Sequence, residues 1–122
     1  MTLILVVDDE ISILEMLSLV LEEEGYEVMT ASDGQEGLNC LKRALPALVM
    51  SDVMMPVLDG QELCRRMQAD QRFRSIPVVL MSAARTAFHL KDCAYAAMLK
   101  KPFELREMLQ TIAGLVGSSS PS

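Results

Sequence analysis

The residues of this sequence best suited to metal or phosphate chemistry are carboxylates that follow apolar runs. Asp8, Asp9 and Glu10 come directly after the run 3–7, and Asp52 comes at the end of a later run. Carboxylate oxygens are preferred ligands of hard divalent cations such as Mg²⁺. The acidic cluster therefore indicates a site for a divalent cation. Asp52 could bind the same ion if the fold brings it next to the cluster.

A hydroxyl group and two cationic side chains follow further apolar runs. Ser82 follows one of them, and Lys100 and Lys101 follow another, which begins at Met98. Hydroxyl and ammonium groups donate hydrogen bonds to phosphoryl oxygens. A solvated edge would seldom offer three carboxylates, a hydroxyl and a lysine, each preceded by an apolar strand. We therefore treat these residues as one candidate site.

The apolar runs and the segments between them predict alternating strands and helices. A continuous β-favouring run predicts a strand at 3–7, a weak alternation predicts one at 26–31, and further runs predict strands at 47–51, 76–81 and 98–100. Helical spacing of apolar residues predicts helices from 11 to the stop at Gly25, at 33–44, 61–71, within 85–94 and at 103–116. This alternation predicts an α/β fold, a doubly wound five-stranded parallel sheet with five helices on its two faces. The carboxyl ends of the strands would meet at one edge, where such sheets bind ligands.

Length and composition limit the remaining classes of protein. The 122 residues suit one domain, which we place at 1–116, with a flexible tail or the stub of a linker at 117–122. The net charge of -6 and the scattered Lys and Arg argue against direct nucleic-acid binding by this domain. The apolar start is too short to span a membrane. Three cysteines without a CxxC pair, and one histidine, argue against a zinc site and indicate free thiols in a reducing cytoplasm.

Four motifs of the sequence resemble those of the response-regulator receiver family of two-component signalling. They are Asp8-Asp9, then Asp52 with Met55-Pro56 and Asp59-Gly60 behind it, then Met81-Ser82-Ala83, and finally Lys101-Pro102-Phe103. Each motif alone is weak, but all four occur in the family's order on predicted strand ends. The resemblance covers residues 3 to about 116, and it implies a flavodoxin-like strand order 2-1-3-4-5.

The resemblance implies a role for each matching residue. Asp52 would be the phosphorylation site, taking a phosphoryl group from a histidine kinase or a histidine phosphotransfer protein. Mg²⁺ would be held by Asp9, Asp52 and the backbone carbonyl of Met54, with Asp8 acting mostly through a bound water. Lys101 would supply a second cation, and Ser82 would bind a phosphoryl oxygen after transfer.

The resemblance also assigns structural roles and partners. Pro102 would form a cis peptide bond that aims Lys101 inward, and Gly60 would be a structural residue of the loop after Asp52. Phosphorylation would switch the binding of an output partner that the sequence does not identify, and a homodimer is one open possibility. Such a domain catalyses only its own phosphorylation and slow dephosphorylation. The resemblance therefore implies a protein that is not a conventional enzyme.

Two features depart from the family's pattern and concern the switch. Met98 stands where the family generally has Tyr or Phe, and Ser82 and Lys101 are only 19 positions apart, about one helical turn closer than expected. Met98 has no ring to move as a unit. We therefore expect a smaller or more local response to phosphorylation, in which Tyr95 or Phe88 could take over the aromatic role.

Two other classes of protein are weighed against the receiver domain. A haloacid-dehalogenase-like phosphatase also uses an aspartate nucleophile, Mg²⁺, Ser or Thr, and Lys. That class needs a second aspartate two residues after a nucleophile on the first strand, where this chain has Glu10. A degenerate receiver acting only as a binding scaffold would not need the complete set of site residues. His89 lacks a supporting constellation for phosphohistidine chemistry and is read as a surface helix residue.

Overall fold

The fold alternates strands and helices, as the apolar pattern predicts. A computed structural model describes residues 2–83 and 94–116. The strands are β1 (Leu3–Val7), β2 (Glu27–Ala31), β3 (Leu48–Asp52), β4 (Val78–Ser82) and β5 (Ala97–Lys100). The helices are α1 (Ile11–Glu23), α2 (Gly34–Arg43), α3 (Gly60–Ala69) and α4 (Leu105–Val116). These are four of the five predicted helices, and the other, within 85–94, falls almost wholly outside the described residues, as do Phe88 and His89.

All five strands pair in parallel in the order β2-β1-β3-β4-β5, which confirms the predicted order. In this register Val7 is paired with Ser51, and Ser82 is paired with Lys100. The carboxyl ends of β1, β3, β4 and β5 therefore lie side by side. The strand order reverses between β1 and β3, and the crevice at such a reversal is the usual ligand site of an open parallel sheet.

Each face of the sheet is covered by a hydrophobic core. Alternate residues of β1 point to opposite faces, with Leu5 and Val7 in one core and Ile4 and Val6 in the other. The first core packs α2 and α3 against the sheet, and the second packs α1 and α4. Burial on both faces explains why β3 and β4 are buried at every position.

Across 2–83 and 94–116, none of the helices has the length and apolar character needed to cross a membrane.

Several predicted element ends are wrong by one or two residues. Helix α3 begins at Gly60 rather than at 61, because the Asp59 carboxylate accepts a hydrogen bond from the Glu62 backbone N–H at 2.8 Å and caps the helix. Helix α4 begins at Leu105 rather than at Phe103, whose side chain packs on the core that holds α1 and α4. The strands β3 and β4 include Asp52 and Ser82 as their last residues instead of stopping before them.

Candidate functional site

The sheet brings three of the predicted carboxylates together. Oxygen atoms of Asp8, Asp9 and Asp52 all lie within 4.8 Å of one another, at the ends of the neighbouring strands β1 and β3. Asp8 is fully buried and Asp52 nearly so, whereas Asp9 is exposed. Three carboxylates at this spacing repel one another unless a cation lies between or beside them. The donor set fits a hard divalent ion that retains some of its waters.

Lys101, directly after β5, supplies one such cation. Its Nζ donates a hydrogen bond to Asp8 Oδ2 at 3.0 Å and lies 3.5 Å from Asp52 Oδ2. The peptide bond from Lys101 to Pro102 is cis, as expected, and the Lys101 backbone N–H donates to the Ser82 carbonyl at 2.8 Å. Lys100 is exposed on the last position of β5. Of the two lysines, the one to which the resemblance assigns the second cation is therefore the one that reaches the carboxylates.

Burial and the ion pairs of Lys101 shift the pKa values of the site in opposite directions. Burial raises the pKa of Asp52, and the negative charge of Asp8 raises it further, while Lys101 and a hydrogen bond from the Met54 backbone lower it only in part. Burial lowers the pKa of Lys101, but the hydrogen bond to Asp8 and the charge of Asp52 outweigh burial, so that pKa is raised. Lys101 is thus held as a cation beside carboxylates that need one.

The loop from β3 to α3 fixes the backbone around Asp52. The Gly60 N–H donates to the Val53 carbonyl at 2.9 Å, which closes the loop directly behind the aspartate. A Cβ added to Gly60 would collide with the Asp52 carbonyl oxygen, so this position has room only for glycine. Met54, two positions after Asp52, has an exposed side chain, and its backbone makes a hydrogen bond to Asp52.

The two residues assigned to the switch lie on adjacent strands. Ser82 is buried at the end of β4, next to β5 in the sheet. Met98 is paired with Leu80 and packs, partly buried, on the core that holds α2 and α3. Tyr95 precedes β5 and is 37% exposed, so its ring is not held in a core.

Three features of the site have no signal in the apolar pattern. The Glu10 backbone N–H donates to Asp8 Oδ1 at 2.9 Å, which fixes the carboxylate before α1 begins. The Gly34 N–H donates to the Leu58 carbonyl at 2.9 Å and ties the start of α2 to the loop. Val57 has a φ of 68°, strained for a β-branched residue, in the tight turn closed by the bond from the Leu58 N–H to the Pro56 carbonyl.

Lys101→Met should destabilise the metal-free protein by about 1–2 kcal/mol, because it leaves Asp8 and Asp52 buried without their cation. The loss should depend on pH. Without Lys101 the folded-state pKa of Asp52 rises further above its value in the unfolded chain. Ionising a group whose pKa is raised in the folded state lowers the free energy of unfolding. The stability difference between Lys101→Met and the wild type should therefore be small in acid and grow as pH rises through the raised pKa of Asp52. Chemical denaturation at several pH values measures it.

Lys100→Met is the matched control for this variant. Lys100 is exposed, and exposed substitutions usually change stability by less than about 0.5 kcal/mol. Equal stability losses in the two variants, or a loss for Lys101→Met that does not change with pH, would show that the ion pairs are not what stabilises the site.

Comparisons with known proteins agree with the fold. Residues 4–113 match the family described as the response regulator receiver domain. The chain is 34% identical over 116 residues to the DNA-binding dual master transcriptional regulator RpaA of Synechocystis, with 93% of this chain and 48% of that protein covered. It is 46% identical over 119 residues to the probable transcriptional regulator ycf27 of Cyanophora paradoxa, with 93% and 47% covered. The chain thus spans about half the length of these relatives.

The fold also matches solved structures closely. The chemotaxis protein CheY4 of Vibrio cholerae is 31% identical and superimposes with a TM-score of 0.87, covering 94% of this chain and 98% of that one. Together with the family match, this shows that the chain belongs to the response regulator receiver domain family. It is accordingly a phosphoacceptor module of two-component signalling.

Proposed function

We propose that Asp52 is the phosphoacceptor of this domain and that its phosphorylation depends on Mg²⁺. The observation that carries the proposal is the placement of Asp52 at the end of β3, within 4.8 Å of carboxylate oxygens of Asp8 and Asp9 and 3.5 Å from the Nζ of Lys101. This arrangement gives a carboxylate oxygen that can act as a nucleophile, with positive charge available beside it. Labelling of the wild-type protein by a small phosphodonor and Mg²⁺ is the experiment that tests it.

In the proposed reaction the protein positions groups and balances charge. A carboxylate oxygen of Asp52 forms the new bond to phosphorus, the bond from phosphorus to the donor breaks, and the electron pair leaves with the donor. Lys101 is already held as a cation 3.5 Å from Asp52 Oδ2, where it can bind a phosphoryl oxygen. Ser82, which lies buried at the end of the next strand, would donate its hydroxyl to another phosphoryl oxygen.

Asp9, Asp52 and the Met54 carbonyl are the ligands that we assign to Mg²⁺, with Asp8 joined through water. When bound, the ion would neutralise the negative charge that these carboxylates and a phosphoryl group bring together. Asp8 has both oxygens engaged, one with the Glu10 N–H and one with Lys101, which suits an indirect role. Asp9 is exposed, which suits a direct one.

Mg²⁺ should stabilise the wild-type protein against thermal unfolding, and the stabilisation should depend on Asp9. At an ion concentration ten times the dissociation constant, binding to the folded state contributes about 1.4 kcal/mol. Asp9→Asn removes one of the three clustered charges and should abolish most of this gain. Melting curves with and without Mg²⁺ measure the effect.

Glu10→Gln is the matched control for the metal test. Glu10 is the next acidic residue along the chain, but its carboxylate is not part of the cluster of three. Its variant should keep the full response to Mg²⁺. A response in Asp9→Asn as large as in the wild type would contradict the ligand assignment.

The proposed partners follow from the family. A histidine kinase or a histidine phosphotransfer protein would donate the phosphoryl group in the cytoplasm, and phosphorylation would alter binding to an output partner. The domain would act on its own aspartate, with slow self-dephosphorylation, and would not be a conventional enzyme. The scattered basic residues favour an output that does not use this domain to bind nucleic acid directly.

We expect the conformational response to phosphorylation to stay near the site. Ser82 would move toward the phosphoryl group, but Met98 can refill the space in several rotamers and has no ring to carry the change outward. Addition of beryllofluoride with Mg²⁺ should therefore shift amide resonances at the ends of β1, β3 and β4. Large concerted shifts through α4, undiminished in Tyr95→Ala and Phe88→Ala, would show that Met98 transmits the signal unaided.

A further inference from the structure

An apolar cavity of about 390 Å³ lies beside the carboxylate site. It lies between α1, which contributes Ile13 and Met16, and the segment after β5, which contributes Phe103 and Leu105. The cavity is lined by Lys101 and Pro102, on either side of the cis bond, and Asp9 is not among its lining residues. The phosphoacceptor chemistry described above does not use these apolar side chains.

The apolar walls of the cavity combine a packed floor with an exposed rim. Ile13 and Phe103 pack on the core between α1 and α4, so the floor is fixed by the fold. Met16 and Leu105 are 42% and 39% exposed, which leaves apolar surface facing solvent around the opening. A concave apolar surface with a polar group converging on it is the usual form of a small-molecule site.

The charge at this cavity identifies the kind of ligand. Among the described residues that line it, Lys101 is the one with a charged side chain. Lys101 lines the cavity, and its Nζ contacts Asp8 and lies 3.5 Å from Asp52. A molecule with an apolar body in the cavity and an anionic end at Nζ would therefore place that end next to the phosphoacceptor.

We propose that this cavity is a subsite for the apolar body of a small anionic phosphodonor, an acyl phosphate with a hydrophobic acyl group. The proposal rests on Asp52 being the phosphoacceptor. An Asp52 oxygen bonds to phosphorus, the bond from phosphorus to the acyl oxygen breaks, and the electron pair leaves with the carboxylate product. That product keeps the apolar body, which the cavity holds during transfer.

The first experiment compares benzoyl phosphate with acetyl phosphate as donors to the wild-type protein and to Met16→Ser/Leu105→Ser, with Mg²⁺. Comparing the ratio of the two labelling rates between proteins removes the intrinsic difference in donor reactivity. The ratio of the benzoyl phosphate rate to the acetyl phosphate rate should fall roughly tenfold in the double variant, because partial burial of a phenyl ring favours binding by roughly that factor. A ratio that stays within about twofold of the wild type would overturn the subsite.

Two further variants make this comparison specific. Leu19→Ser changes an exposed apolar residue of the same helix that does not line the cavity, and it should keep the wild-type ratio. Met16→Gln keeps a side chain of similar length on the helix and should lower the ratio in the same direction as the double variant. It provides the test if the double variant does not fold.

The second experiment separates this subsite from the phosphoacceptor assignment. Phenylphosphonate and methylphosphonate carry the same anionic end but no transferable phosphoryl group, and their binding can be followed by NMR titration. The wild type should bind phenylphosphonate several times more tightly, and the double variant should lose that preference. Absence of the preference in the wild type overturns the subsite even if both donors label Asp52. Absence of labelling by both donors overturns the phosphoacceptor assignment, even if the preference is present.

Discussion

Asp52→Asn should abolish the base-labile phosphoryl adduct that forms when the protein is incubated with acetyl phosphate and Mg²⁺. An amide nitrogen and a neutral carbonyl oxygen cannot replace the carboxylate as nucleophile, so the expected loss is complete rather than partial. Intact-protein mass spectrometry before and after mild base treatment measures the adduct. The fold should remain, because the side chains of aspartate and asparagine have the same shape. The substitution also removes a carboxyl group whose pKa is raised by burial, so no favourable buried charge is lost.

Asp59→Asn is the matched control for this variant. Asp59 lies seven positions further along the same loop, but its carboxylate caps α3 through the Glu62 N–H, and asparagine is an equally good cap. It should be labelled as fully as the wild type. Full labelling of Asp52→Asn would show that another residue accepts the phosphoryl group.

Gly60→Ala should destabilise the protein by about 1–3 kcal/mol, the range expected when added atoms force a packed backbone to move. The added Cβ would collide with the carbonyl oxygen of Asp52 and crowd the backbone of Val53, neither of which is a flexible side-chain end. The backbone that positions the phosphoacceptor must shift. We therefore expect slower phosphorylation in the folded fraction as well. Chemical denaturation and labelling kinetics measure the two effects.

Gly114→Ala serves as the control substitution. Gly114 lies inside α4, and a Cβ added there would meet nothing within 4 Å. Alanine in a helix interior is favoured over glycine by about 0.5–1 kcal/mol, so this variant should be more stable than the wild type and label normally. If both glycine variants changed stability in the same direction, the close contact at Gly60 would not be the cause of its loss.

The sequence could predict the gathering of the site because parallel strands place their carboxyl ends at one edge. Apolar runs located β1 and β3, and the carboxylates that follow them had to become neighbours once the strand order was known. The resemblance to the receiver family supplied that order and the choice of Lys101. The ion pairs from Lys101 to Asp8 and Asp52 span 93 and 49 positions of the chain, a separation that no local pattern can specify.

What the sequence could not predict are contacts made by the backbone. The bond from the Glu10 N–H to Asp8, the contact of Gly34 with the Leu58 carbonyl and the positive φ of Val57 depend on the path of a loop. Apolar periodicity carries no information about that path. The early start of α3 is different, since Asp59 before Gly60 is a recognisable cap, and a prediction that begins the helix at 61 counts this glycine as loop.

The central claim is that the phosphoryl group is transferred to the Asp52 carboxylate, and reductive trapping tests it most directly. Borohydride converts an aspartyl phosphate into homoserine, which peptide sequencing by mass spectrometry locates within the chain. After labelling with acetyl phosphate and Mg²⁺, homoserine should be found at position 52 and should be absent when the donor is omitted. Homoserine at position 8, 9 or 59, or an adduct that resists reduction because it is not an acyl phosphate, would contradict the assignment.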